Sequence, residues 1–203
     1  MEPAIALVLS YLAGSIPFAA MAGKARGVDL RKQGSGNLGA TNVFRVLGWK
    51  VGLAVFLADA AKGALPVLLL APRVDSPRDP VVWAVACGIA AIAGHVRPIF
   101  LKLRRGGKGV ATAAGVFLAL APVPMAITFL VFVGVVLATG YVSLGSLVCA
   151  VLLPSLLLAT QGARSPLFLV SATIALFVFW THRANIGRLR RGEEHRFGKR
   201  GRA

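Results

Sequence analysis

Charge is scarce in this chain of 203 residues, and acidic charge scarcer still: charged residues make up 15%, with 7 Asp plus Glu against 23 Lys plus Arg. Soluble globular domains carry nearer ~25% charged residues, so an ordinary soluble domain is excluded. Cysteine is almost missing too. Cys87 and Cys149 both sit inside long apolar runs, which excludes a disulfide-stapled secreted domain and offers no thiolate site for a metal. No cluster of Asp, Glu and His has ligand spacing either, so no metal and no other cofactor is expected. Lys and Arg are absent ahead of the first apolar run, where a signal peptide would carry them. Glu2 precedes that run and Lys24 and Arg26 follow it, so it is expected to be a retained helix despite the cleavage-like Ala20-Met21-Ala22 stretch. No internal repeat, low-complexity tract or second domain is visible. The chain is expected to be a single transmembrane domain over residues 1–203, with a basic tail over 190–203 whose composition suits a flexible segment.

What the chain has in abundance is apolar surface, with 57% hydrophobic residues and a mean hydropathy of +0.75. That excludes disorder and marks an integral membrane protein. The net charge of +16 would suggest nucleic acid in a soluble chain, but here hydropathy overrules it and no nucleic-acid partner is expected. A basic membrane protein displays its charge to the cytoplasmic lipid surface or to phosphorylated substrates.

The expected fold is all-α and polytopic. A hydrocarbon core of ~30 Å takes roughly 20 helical residues per crossing, and four segments fit: Pro3 to Ala22, Val51 to Ala71, Val81 to Phe100 and Pro166 to Thr181. Between the third and the last, Gly109 to Ala163 carries no charged side chain. As helix it would measure ~80 Å, too long for two upright crossings and slightly short for three. Pro122 and Pro124 break it once and the Thr139-Gly140-Tyr141-Val142-Ser143 stretch breaks it again, giving three short crossings and seven in all. Charge parity supports that number. Lys24, Arg26, Arg31, Lys32, Arg45 and Lys50 form one basic region, Lys102, Arg104, Arg105 and Lys108 a second, and the tail after Thr181 a third. Putting all three on the cytoplasmic side requires an even number of crossings between the second and third, hence an outer amino end and a cytoplasmic carboxyl end.

Three motifs fall on that side. Gly34-Ser35-Gly36-Asn37-Leu38-Gly39-Ala40-Thr41-Asn42 with Arg45 beyond it is an anion cradle: the glycines permit close backbone approach, Ser, Asn and Thr give neutral hydrogen-bonding groups, and Thr41 or Asn42 is expected to cap a short helix that carries Arg45. A mere connector needs no such dense run of Gly and small polar residues. Gly94-His95-Val96-Arg97, then Arg104-Arg105-Gly106-Gly107-Lys108-Gly109, superficially suggests a nucleotide P-loop. It fails the spacing, since Lys102 stands where the first Gly belongs and Gly109 where Ser or Thr should hold magnesium. A glycine-flanked Lys opening a helix remains a phosphate site, and lipid anchoring accounts for Arg104 and Arg105. His182, Asn185 and Arg188, spaced to face one site, form the third. Asp59 and Lys62 lie within the second crossing, and their i,i+3 spacing points to mutual neutralisation that holds helices together.

Together these residues resemble the PlsY-type family of acyl-phosphate:glycerol-3-phosphate acyltransferases, bacterial membrane enzymes. The resemblance spans almost the whole chain and rests on Gly34-Ser35-Gly36-Asn37, Gly39-Ala40-Thr41-Asn42 and Arg45; Asp59 with Lys62-Gly63; Gly94-His95 with Gly106-Gly107-Lys108-Gly109; Tyr141-Val142-Ser143; and His182 with Asn185-Ile186, Arg188-Leu189, Gly192 and Glu194. Leu38 stands where the family usually has proline, and Arg97 replaces a usually neutral residue; neither removes a chemical group. The resemblance implies transfer of a fatty acyl group from acyl phosphate to the 1-hydroxyl of glycerol 3-phosphate at the bacterial inner membrane, an early step of phospholipid synthesis. It implies catalytic roles for Ser35, Arg45, Lys108, His182 and Asn185. Substrate binding is implied for Gly36, Asn37, Gly39, Thr41, Asn42, His95, Gly106, Gly107, Gly109, Ser143, Arg188 and Glu194. The general base is left open between His182, His95 and a substrate phosphate. Two competing readings are a transporter of a phosphorylated solute and a scaffold that binds anionic lipid. The first would want polar groups at mid-membrane and repeated halves, and the second leaves the cradle unexplained.

Overall fold

In a computed structural model, which describes residues 1–197, every regular element among the described residues is helical. The chain forms two compact units, one ending at Leu120 and one beginning at Ala121. In the first, α1 (Pro3–Ser15), α2 (Phe18–Ala25), α3 (Ala40–Leu47), α4 (Trp49–Leu65), α5 (Pro80–Val96) and α6 (Val110–Leu120) pack together. Two faces are built on backbone contact: α1 lies on α5, and α4 on α6. A Cβ on Gly14 of α1 would run into the Ala91 carbonyl of α5, and one on Gly115 of α6 into the Ala60 carbonyl of α4. Small residues let membrane helices approach to that distance, where dispersion replaces the missing hydrophobic drive. In the second unit α7 (Pro122–Thr139), α8 (Val142–Gln161) and α9 (Pro166–Thr181) follow one another, α8 touching both, and α10 (Arg183–Arg190) is the last helix among the described residues.

Among the described residues, five spans are long and apolar enough to cross a membrane: Pro3–Ala25, Trp49–Arg73, Pro80–Leu101, Pro122–Thr139 and Val142–Gln161. The α9–α10 pair, bent by 59°, has the length and apolar content of a broken span or a re-entrant loop. The segment expected to supply a seventh is α6, whose 11 residues measure about 16 Å as helix. The breaks in the long uncharged run fall where proline and glycine mark them, at Ala121 before Pro122 and at Gly140, which takes φ 76° to end α7. The last apolar helix keeps its expected limits because Ser165 caps it through the Leu167 N–H and Pro166 opens it.

Proline reshapes two other spans. Pro17 divides the first into α1 and α2, since its ring removes a donor and crowds the preceding turn, and the Ile16 carbonyl at that break accepts the Lys62 ammonium at 2.8 Å. Pro66 opens a π-helical turn, Pro66–Leu70, that runs into a short 3₁₀ turn at Ala71–Arg73. Side chains such as Leu137, Leu176 and Leu130 stay largely exposed, the arrangement of an apolar belt that meets lipid rather than water.

Residues 191–197 of the tail lie back against the second unit. The Phe197 N–H donates to the Gly140 carbonyl, and Arg196 stacks on the Tyr141 ring while its Nε donates to the Tyr141 hydroxyl. The rest of the basic tail, residues 198–203, lies outside the described residues.

Candidate active site

The first loop is folded around Asn42, 1% exposed. Its side-chain oxygen accepts the Ser35 N–H at 2.8 Å, and its nitrogen donates to the carbonyls of Leu30 and Gln33 at 3.1 and 3.0 Å. The chain can curl this tightly because Gly34 takes φ 61° directly above the Asn42 oxygen, where a Cβ would collide with it. The expected cap at Thr41 or Asn42 is corrected here. The helix starts at Ala40, two to three residues earlier, Gly39 is the N-cap, and no side chain caps it. Thr41 and Asn42 therefore occupy the first turn, where the Asn42 amide turns back to hold the loop. Ser35 is left exposed at the loop's outer edge, and Arg45 is half-buried in the last turn of α3.

The second loop begins at the end of α5. The Tyr11 hydroxyl donates to the Arg97 carbonyl at 2.7 Å, and the Gly106 N–H donates to the Val96 carbonyl at 2.9 Å. Lys102 and Leu103 both adopt positive φ, 54° and 57°, an unusual conformation for side chains of that size. They turn the strand of loop so that Arg104 and Arg105 are exposed while Gly106 and Gly107 are buried. Lys108 is half-buried two residues before α6. The two loops touch where Gly107 meets the Leu38 carbonyl. Leu38, in the place of the family's usual proline, is buried in the core cluster with Leu30 and Val43. Arg97, the other departure, is exposed and reaches the Leu103 carbonyl.

Beneath these loops a pocket is lined by Ser15, Ile16, Phe18, Leu38, Asp59, Lys62, His95, Gly106 and Gly107, among others. Asp59 pairs with Lys62 at 2.7 Å as its spacing predicts, and Lys62 also lies 5.4 Å from the centre of the Phe18 ring. His95 Nδ1 stands 3.6 Å from the same Asp59 oxygen. Sequence spacing gives no hint of that third member, which α5 alone delivers.

The second unit holds its own polar cluster. His182 sits at the bend between α9 and α10, 3% exposed, with Nδ1 2.8 Å from the Val178 carbonyl. A carbonyl only accepts, so Nδ1 carries the hydrogen and Nε2 is the basic nitrogen of the neutral ring. One turn on, Asn185 donates to Glu194 Oε1 at 2.7 Å, the Ser143 hydroxyl donates to the same oxygen at 3.1 Å, and Arg188 Nε donates to Oε2 at 2.7 Å. Burial pushes the Glu194 carboxyl upward. The hydrogen bonds of Asn185 and Arg188, the Arg188 charge and the Ser143 hydroxyl outweigh it and hold the group below its ordinary value. Glu194 thus spends both oxygens on protein donors. It fixes Ser143 in the first turn of α8 and Asn185 and Arg188 along α10.

A family model described as glycerol-3-phosphate acyltransferase matches residues 4–192. A glycerol-3-phosphate acyltransferase of Geobacter sulfurreducens is 46% identical over 194 residues, 95% of this chain and 96% of that one. Its counterpart in Myxococcus xanthus is 48% identical over 192 residues, 94% and 97% of the two chains. Among solved structures, the glycerol 3-phosphate form of PlsY, an integral membrane glycerol 3-phosphate acyltransferase, is similar with a TM-score of 0.87 and 39% identity, covering 97% of this chain and 96% of that one. The lysophosphatidic acid form gives 0.84 and 38%, with 97% and 95% covered.

Proposed function

Because the chain belongs to the glycerol-3-phosphate acyltransferase family, we propose that it moves a fatty acyl group from acyl phosphate to the 1-hydroxyl of glycerol 3-phosphate, yielding lysophosphatidic acid and inorganic phosphate. The glycerol 3-phosphate and lysophosphatidic acid forms of the similar PlsY support the acceptor and the product. One observation carries the donor: two glycine-built loops in contact, bearing Arg45 and Lys108, suit a small phosphate and not a nucleotide. An acyl phosphate is already activated, so no acyl-enzyme is needed. The two cysteines lie within α5 and α8, and no group of three or more His, Cys, Asp or Glu among the described residues is placed to hold a metal.

In this reading Ser35, Arg45 and Lys108 hold the donor phosphate and the developing oxyanion, backed by Gly36, Asn37, Gly39, Thr41, Gly106 and Gly109. His182, Asn185 and Arg188, set by Ser143 and Glu194, take the glycerol phosphate. The hydroxyl oxygen attacks the acyl carbon, the carbon–oxygen bond to phosphate breaks, and the electron pair leaves with the phosphate. His182 through Nε2, His95, or a substrate phosphate oxygen takes the hydroxyl proton. The cations relieve repulsion between two anionic substrates, and the loops supply preorganised donors, which is most of what this transfer requires.

Purified protein in detergent, given acyl phosphate and glycerol 3-phosphate, is expected to form lysophosphatidic acid, to do so in excess chelator, and to show little or no turnover with acyl-CoA or acyl carrier protein. Equal turnover with acyl-CoA overturns the donor assignment.

The reading also includes seven crossings of the bacterial inner membrane, α6 being the shortest, with an outer amino end and the site facing the cytoplasm. Single cysteines at positions 35, 107 and 192 are expected to label only from the cytoplasmic side, and one at 76 only from outside. Outside labelling at 107 contradicts the topology.

A further inference from the structure

Three buried titratable side chains meet in the first unit without any full role in the steps above. Asp59 and Lys62 belong to α4 and His95 to the last turn of α5, and all three are nearly closed off from solvent. Neutralising Lys62 needs only Asp59, which it meets at 2.7 Å, and the Ile16 carbonyl at 2.8 Å completes its coordination. The histidine is superfluous to that purpose. Yet its Nδ1 faces the same carboxylate oxygen at 3.6 Å, and the opposite edge of its ring, Nε2 and Cε1, lies so close against Gly107 that a Cβ there has no room.

We infer that Asp59 and His95 are positioning residues for Lys108: the carboxylate sets the imidazole, and the imidazole sets the glycine loop. This inference rests on the role given to Lys108 above. A carboxylate beside Nδ1 favours a hydrogen on that nitrogen and so fixes the orientation of the ring. The 3.6 Å separation is outside direct hydrogen-bond reach, so the hold is electrostatic at this spacing. The ring edge then buttresses Gly107 from one side, while the Gly106 N–H bond to the Val96 carbonyl at 2.9 Å pins the loop from the other. Lys108 is the next residue along. Its ammonium inherits the precision of a buried framework although it stands at the surface of the unit. In this role His95 acts through Gly107. Lys62 makes the arrangement tolerable, because a lone buried carboxylate would otherwise carry a desolvation cost.

The test removes both charges together, so that no unpaired ion is left behind. In full-length protein in detergent, Asp59→Ala with Lys62→Met is expected to lower kcat about tenfold or more with KM for glycerol 3-phosphate little changed. It is also expected to speed tryptic cleavage at the exposed Arg104 and Arg105, located by mass spectrometry, by about fivefold. Asp59→Asn with Lys62→Met keeps an oxygen facing Nδ1 and should restore most of both. Wild-type cleavage and kcat in the Ala double variant would mean that the pair only neutralises, and the inference falls. A fall in kcat with cleavage unchanged also overturns it, since the loop would not be the route. Should the Ala double variant not fold, His95→Asn, which leaves the ion pair intact and withdraws the ring from Gly107, must accelerate the same cleavage; wild-type cleavage in it refutes the idea. Wild-type protein inactive on acyl phosphate would sink the functional assignment, whereas the cleavage comparison judges the positioning role independently.

Discussion

Replacing Lys108 with arginine is expected to lower turnover by about a hundredfold or more, nearly as much as replacing it with alanine. Losing one donor aimed at developing charge costs ~3 kcal/mol of transition-state stabilisation. A compact ammonium between Gly107 and Gly109 cannot be exchanged for a broad planar guanidinium without displacing the substrate phosphate. If the lysine only anchored the loop to anionic lipid, Lys108→Arg would be silent and Lys108→Ala would cost ~1 kcal/mol of membrane affinity. Arg105→Ala is the control, exposed on the same loop and expected to keep turnover within a few fold of wild type. Melting temperature should hardly move in any of the three, because a half-buried group at a loop contributes little packing. Equal behaviour of Lys108→Arg and Arg105→Ala, both near wild type, would remove Lys108 from the chemistry.

The second large effect is expected at Glu194. Glu194→Ala should cut turnover at least tenfold and lower the melting temperature, since it strands the hydrogen-bond donors of Ser143, Asn185 and Arg188 together, and bonds to a charged partner are worth about 1.5–3 kcal/mol each. Glu194→Gln should rescue only part: its oxygen can still accept from Asn185 or Ser143, but its amide nitrogen meets the Arg188 N–H donor to donor. The pH dependence has a definite sign. A carboxyl held below its ordinary value in the folded protein contributes its full stabilisation above the ordinary range of ~4.3, and loses it as pH falls through the lower folded value. This cluster should therefore leave activity and stability flat from neutral pH down to about 5, with the loss confined to stronger acid. Glu193→Ala serves as the comparison. Its pair with Arg191 is made at 2.7 Å but both side chains are more than half exposed, so little should change.

Much of the fold was legible because its punctuation is local. Pro122, Gly140 and the Ser165-Pro166 pair end or begin helices by their own geometry, and the structure breaks the long uncharged run at those places. Pro17 shows the limit: a hydropathy window passes over a single proline, so the first span reads as one helix where the chain makes two. The site divides in the same way. His182, Asn185 and Arg188 share a face by helical spacing alone, whereas Ser143 and Glu194 enter only through family resemblance, because a loop closing back onto α8 leaves no periodic trace. The cap at Gly39 was missed for a related reason. Asn42 has the composition of a cap, but its amide is committed to Leu30, Gln33 and Ser35, a fact of loop geometry that no short-range rule contains. The contact of His95 with Asp59 joins two helices and was invisible to any reading along one.

The bond from Lys62 to the Ile16 carbonyl ties the second span to the bend in the first. The break between α1 and α2 leaves a carbonyl that accepts locally from the Phe18 N–H at 3.1 Å and, from 46 residues further along the chain, the Lys62 ammonium at 2.8 Å. Without α4 that carbonyl would keep the Phe18 bond alone, since hydrocarbon offers it no second donor. The contact serves α4 as well, because a Lys62 buried at this depth has Asp59 one turn away and a carbonyl to donate to. The first span and the second thus complete each other's polar groups across the bend.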